Sequence, residues 1–125
     1  MTNKKEIYKC EICGNIVEIL HTGVGTLVCC GQAMKLMKEK TKEEGNEKHI
    51  PIIKNNEEGV NVKVSSVSHP MTKEHYIEWI EISTKNGESK KFLSPDDKPE
   101  VNFPVKNKKV KAREYCNIHG LWRSE

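Results

Sequence analysis

The sequence predicts an all-β protein in two parts: a small metal-dependent unit first, then an antiparallel β-sandwich. Three observations predict it. From residue 49 onward, short runs of β-branched and aromatic residues recur about every 8–12 residues. Gly, Pro, Asn and Asp stand between them, and no helical period is present. Residues 1–37 hold Cys10-x-x-Cys13 and the adjacent pair Cys29-Cys30, with too few apolar residues to fold unaided. Residues 38–48 are polar or charged apart from Gly45, a linker by composition. The expected layout is therefore a metal unit at 1–37, a linker at 38–48 and a sandwich at 49–125.

Composition narrows the class. Of 125 residues, 35% are apolar and 31% charged, with a mean hydropathy of −0.70. Lys and Arg number 21 against 18 Asp and Glu, a net charge of +3, too slight to indicate nucleic-acid binding. No apolar run approaches the roughly 18 residues that a membrane helix needs. The opening Met1-Thr2-Asn3-Lys4-Lys5-Glu6 lacks an apolar secretory core, so a cytoplasmic location is the default expectation. Five Cys, an odd number with two adjacent, suit thiolate ligands better than a disulfide framework.

In the first unit, Ile7-Tyr8-Lys9 leads into the Cys10–Cys13 knuckle. Gly14 permits its tight turn and backbone N–H groups can point at sulfur. Ile16 to Leu20 reads as a strand, Gly23 and Gly25 as a turn, and Thr26-Leu27-Val28 as a second strand that delivers Cys29 and Cys30. Four thiolates on one ion would supply the stability that the small core lacks. Zinc and iron both accept such a site, and ligand type does not choose between them. Neighbouring Cys29 and Cys30 cannot approach the ion alike, which predicts distorted angles there.

In the second unit, Ile50-Pro51-Ile52-Ile53 reads as an edge strand, because Pro51 has no ladder donor. Residues 55–59 form a turn. Val60, Val62 and Val64 alternate with polar residues, a half-buried strand. Pro70 pushes His69 toward an extended loop. Residues 75–82 are aromatic and β-branched, hence a strand, and Asn86-Gly87 signals a hairpin that returns through Lys91-Phe92-Leu93. Val101 to Val105 and Val110 to Tyr115 read as the last two strands.

This unit contains His49, His69, His75, Cys116 and His119, each at a strand end or in a loop, where a rigid scaffold can present ligands. Four imidazoles and one thiolate make a five-coordinate site with one position left open. His21 fits neither cluster and reads as a surface residue. Lys106, Lys108, Lys109, Lys111 and Arg113 form a basic strip leading to Cys116. It reads either as edge-strand protection or as a surface that steers an anion or docks an acidic donor.

The pattern Cys10-x-x-Cys13, Cys29-Cys30, Glu47-Lys48-His49, His69-Pro70-Met71, His75 and Cys116-Asn117-Ile118-His119-Gly120 resembles desulfoferrodoxin, the two-iron superoxide reductase family. The resemblance runs along essentially the whole chain, with no departure at a ligand position. It implies a rubredoxin- or desulforedoxin-like iron bound by Cys10, Cys13, Cys29 and Cys30. It implies a second iron with His49, His69, His75 and His119 around its equator and Cys116 axial. It further implies an immunoglobulin-like sandwich, a homodimer and an external electron donor such as rubredoxin.

The implied reaction is one-electron reduction of superoxide to hydrogen peroxide without release of dioxygen. Lys48 would attract superoxide and hydrogen-bond the reduced product, and Glu47 would occupy the open position in the resting ferric state. The four-thiolate iron has no open position, so it would be structural or an electron relay. Two other classes stand beside this one. A cupredoxin-like electron carrier needs two His, one Cys and usually a weak axial Met, and no Met follows Cys116. A zinc-stabilised binding module would be colourless.

Overall fold

The computed structural model describes residues 1–41, 49–64, 69–106 and 109–124. It divides into two compact units, Met1–Lys38 and Glu39–Glu125. The charged stretch expected as a linker is thus shared: Lys38 goes with the first unit, while Glu39 and Lys40 go with the second. Residues 42–48, which include Glu47 and Lys48, lie outside the described residues. No helix is present among the described residues.

The first unit contains β1 (Ile7–Lys9), β2 (Ile16–Glu18), β3 (Val28–Cys29), β4 (Gln32–Ala33) and β5 (Lys35–Leu36). Strands β2, β1 and β5 form one antiparallel sheet, and β3 and β4 form a two-stranded ribbon. The strand expected at 16–20 ends at Glu18, and the one expected at 26–28 begins at Val28 and takes in Cys29. Its buried apolar residues are Ile7, Cys10 and Ile19. So small a core cannot offset the ordering entropy of the unit.

The second unit contains β6 (Pro51–Asn56), β7 (Gly59–Val64), β8 (Ile77–Thr84), β9 (Gly87–Phe92), β10 (Glu100–Phe103), β11 (Lys111–Cys116) and β12 (Gly120–Arg123). They form two antiparallel sheets, β10-β7-β6 and β12-β11-β8-β9, the layout of a small immunoglobulin-like sandwich. Val60, Val62, Val64, Val101 and Phe103 of one sheet share a buried cluster with Ile77, Ile80, Ile82, Ala112 and Cys116 of the other. Pro51 lies on edge strand β6, where its missing N–H breaks no ladder. The hairpin at Asn86-Gly87 is shifted by one place: Lys85 and Asn86 make the turn, and Gly87 already pairs with Thr84.

One local feature aims the site, and a second fixes the far end of β7. Between Tyr115 and Cys116 the register slips, so that Tyr115 pairs with Trp79 and Cys116 with Ile77, leaving Glu78 unmatched. This bulge ends the ladder with Cys116 fully buried in the core cluster. At the opposite strand, Gly59 opens β7 with φ +147°, and a Cβ there would overlap the Phe103 carbonyl oxygen.

Candidate metal centres

In the first unit the Cys10–Gly14 turn closes through Gly14 N–H donating to Cys10 O at 2.9 Å and Cys10 N–H donating to Asn15 O at 2.8 Å. Gly14 takes φ +86°, which a side chain disfavours. Cys13 N–H points at Cys10 Sγ at 3.5 Å. The sulfurs of Cys10, Cys13, Cys29 and Cys30 lie within 4.8 Å of one another, with Cys13–Cys29 at 3.5 Å and Cys29–Cys30 at 3.9 Å. Sulfurs about 2.3 Å from one ion at tetrahedral angles are roughly 3.8 Å apart, so the spacing fits a metal. Adjacent Cys29 and Cys30 meet the same point because Cys30 adopts φ +53°. In an extended strand successive side chains diverge, and the left-handed turn brings them back together.

The backbone N–H of Cys13 holds the Cys10 thiol down to about 6. The neighbouring Cys13, Cys29 and Cys10 sulfurs push Cys30 up to about 12, and Cys13 and Cys10 raise Cys29. One ligand is thus a ready thiolate at neutral pH, while two must lose protons to bind.

The second unit assembles five donors from three stretches of chain. His49 precedes β6, His69 and His75 lie between β7 and β8, and Cys116 and His119 bracket the turn from β11 to β12. Their donor atoms lie within 4.8 Å of one another. The imidazoles close a ring: centroids are 4.6 Å apart for His49–His69, 4.8 Å for His69–His75, 5.1 Å for His75–His119 and 4.7 Å for His119–His49. His69 Nε2 and His49 Nε2 are 2.9 Å apart. Two nitrogens about 2.1 Å from one ion at right angles are roughly 3.0 Å apart, so this pair fits neighbouring positions on one ion. Pro70 O lies 2.7 Å from His69 Nδ1 and accepts its N–H, which leaves Nε2 free to face a metal. Cys116 Sγ lies 3.9 Å from His119 Nδ1, so this ring nitrogen of His119 is turned toward the thiol.

His75 falls in a loop before β8, not within the strand expected at 75–82. Thr72 closes that loop: its N–H donates to His75 O at 2.9 Å, and its Oγ1 accepts from His75 N–H at 3.1 Å. Asn117 then joins the loop to the β11–β12 turn. It accepts Tyr76 N–H on Oδ1 at 3.0 Å, donates Nδ2–H to Glu74 O at 2.9 Å, and donates its own N–H to Tyr76 O at 3.2 Å.

Sequence reasoning missed this role of Asn117, and it missed Lys40 and Trp122. Trp122 stacks on His49 with centroids 4.8 Å apart and planes 15° apart, and donates Nε1–H to His119 O at 3.1 Å. Its place three residues after His119 was the available signal. Lys40 carried none, being one of many charges in its stretch. The basic strip is altered too. Arg113 turns inward to Glu81 at 2.9 Å and Glu39 at 3.2 Å, so it is no part of a solvent-facing stripe, and Lys108 lies outside the described residues.

Two family models match the chain: desulfoferrodoxin over residues 41–125, and the desulfoferrodoxin N-terminal domain over residues 2–37. The chain belongs to the desulfoferrodoxin family. It is 56% identical to the desulfoferrodoxin of Nitratidesulfovibrio vulgaris and 53% identical to that of Syntrophotalea carbinolica, each over 100% of this chain and 99% of the relative. The crystal structure of the superoxide reductase from Treponema pallidum matches with a TM-score of 0.78 at 32% identity, covering 96% of this chain and 97% of that one. As in a desulfoferrodoxin, the four-thiol and the four-imidazole, one-thiol clusters are consistent with two iron centres. The second cluster engages all four His of its unit, two of which a cupredoxin-like carrier would leave idle.

Proposed function

We propose that this desulfoferrodoxin is a superoxide reductase: superoxide, one electron and two protons give hydrogen peroxide, and no dioxygen leaves. The observation that carries the reading is the closed ring of His49, His69, His75 and His119 around one point, with the buried thiol of Cys116 beside it. In this reading those five residues hold one iron, and Cys10, Cys13, Cys29 and Cys30 hold the other. When bound, the five-ligand iron supplies the electron and an open position for a small anion. Cys116 would hold the ion as a thiolate, and its electron donation would favour protonation and release of the reduced product. The four neutral imidazoles leave the centre positively charged, which attracts the anion. Following the family resemblance, Lys48 would supply a cation for the anionic substrate and Glu47 a carboxylate for the oxidised ion; both lie outside the described residues.

The remaining parts follow the same reading. Residues 1–37 form the four-cysteine domain and 49–125 the catalytic sandwich, with Glu39 and Lys40 of the stretch between them already fastened to the second unit. An external donor of the rubredoxin kind supplies the electron. The first unit exposes Ile12, Leu20, Val24 and Val28, which suits burial against a second copy in a homodimer. No helix is long and apolar enough to cross a membrane among the described residues, and none of the five cysteines is in a disulfide. The chain works in the reducing cytoplasm.

The test is iron analysis joined to a superoxide assay that follows peroxide, dioxygen and reductant together. The expected result is about two irons per chain, one reductant electron consumed per superoxide, and peroxide without dioxygen. Dioxygen formed at half the rate of superoxide loss would mean dismutation and overturn the reading.

A further inference from the structure

Lys40 sits where the charged stretch meets the second unit, yet it is held there firmly. Its N–H donates to Leu121 O at 2.9 Å, and its carbonyl accepts Arg123 N–H at 3.0 Å, so its backbone bridges β12 on both sides of Trp122. The preceding Glu39 is fastened by Arg113 at 3.2 Å and Arg123 at 3.5 Å. From this anchored backbone the Lys40 ammonium reaches the His119 carbonyl at 3.0 Å and lies 5.3 Å from the centre of the Trp122 ring. The same carbonyl accepts Trp122 Nε1–H, and the same indole stacks on His49. Lys40 and Trp122 therefore hold His119 by its backbone carbonyl, and Trp122 also holds His49 by its ring face.

We propose that Lys40 is a positioning residue that fixes a positive charge against the His49–His119 side of the second centre and so favours its reduced form. This inference rests on the reading that the five-donor cluster holds iron. The physical ground is elementary. Reduction makes the centre one charge more negative, and a cation held nearby stabilises the product of that step more than its reactant. Its hydrogen bond to the backbone of a ligand, together with the indole between it and another ligand, keeps that charge at one distance where a free surface lysine would roam.

The experiment is a redox titration of the iron-loaded full chain, following the absorption of the second centre, with the four-thiolate centre of the same molecule as internal reference. At the native midpoint, Lys40→Gln should lower the ferrous-to-ferric ratio of the second centre roughly three- to tenfold, and Lys40→Glu should lower it by about that factor again. Lys40→Arg should restore the native value, and raising the salt concentration should shrink the differences. A purely structural role would lower thermal stability without this ordering by charge. Unchanged ratios in Lys40→Gln and Lys40→Glu, or equal shifts at both centres, overturn the inference even if the native protein reduces superoxide. A native chain that takes up iron and shows the charge-ordered shifts but reduces no superoxide upholds the inference and overturns the function. A native second centre that accepts no iron overturns both.

Discussion

The left-handed backbone at Cys30 solves the problem that two adjacent ligands create. The sequence predicts strained angles at the ion, and the structure adds backbone strain at Cys30, about 1–2 kcal/mol for a non-glycine residue. The thiols around it also set a pH response. Cys10 is held down to about 6, below its ordinary 9.0, so its thiolate contribution is complete above about 9 and is lost as pH falls through about 6. Cys29 and Cys30 are raised, and each must surrender a proton to a metal at neutral pH. Metal affinity of the first centre should therefore fall at least about a hundredfold per pH unit between about pH 8 and pH 6, as chelator competition would read it. A tenfold slope would mean that only one proton is displaced. At the second centre, Lys48→Ile should slow the bimolecular step with superoxide in pulse radiolysis while sparing the iron spectrum. Glu47→Ala should alter the ferric absorption and leave that step nearly unchanged.

Strand β7 shows how much an element can hang on one position. Gly59 admits the backbone of Phe103 where any side chain would collide with it, and the next strand positions, Val60, Val62 and Val64, are fully buried. Gly59→Ala should cost more than about 2 kcal/mol. Both tryptophans, Trp79 and Trp122, lie in this unit, so fluorescence-detected unfolding reports on it alone. A melting point within a degree or two of the native value would refute the steric argument. The same strand was legible in the sequence because its valines alternate. By contrast β4, β5 and β12 were not seen: they span two to four residues, too short for any period to register. The Tyr115–Cys116 bulge left no mark either, since a slipped register is decided by the partner strand and not by the local residues.

For the molecule as a whole, the ligands were easier to read than the groups that hold them. Cys and His are few and chemically singular, so their clustering stood out. Asn117 and Lys40 act through backbone N–H and carbonyl groups 41 to 79 residues away in sequence, a relation that only folding creates. Separate units also predict separable functions. Cys13→Ser should abolish the first iron's spectrum and leave superoxide reduction by the second centre within about twofold of native. Lost activity in a variant that still carries the second iron would show that the first centre is needed for turnover. Finally, the second centre's donors span the sandwich: His49 leads into an edge of one sheet, and Cys116 ends a middle strand of the other. A metal gripped by both works as a clasp across one rim of the layered core, shortening the loops an unfolded chain would have to close. Iron loss should then unbutton that rim first, with amide exchange quickening around residues 49–52, 74–77 and 116–121 while the far hairpin at Lys85-Asn86 keeps its native rate.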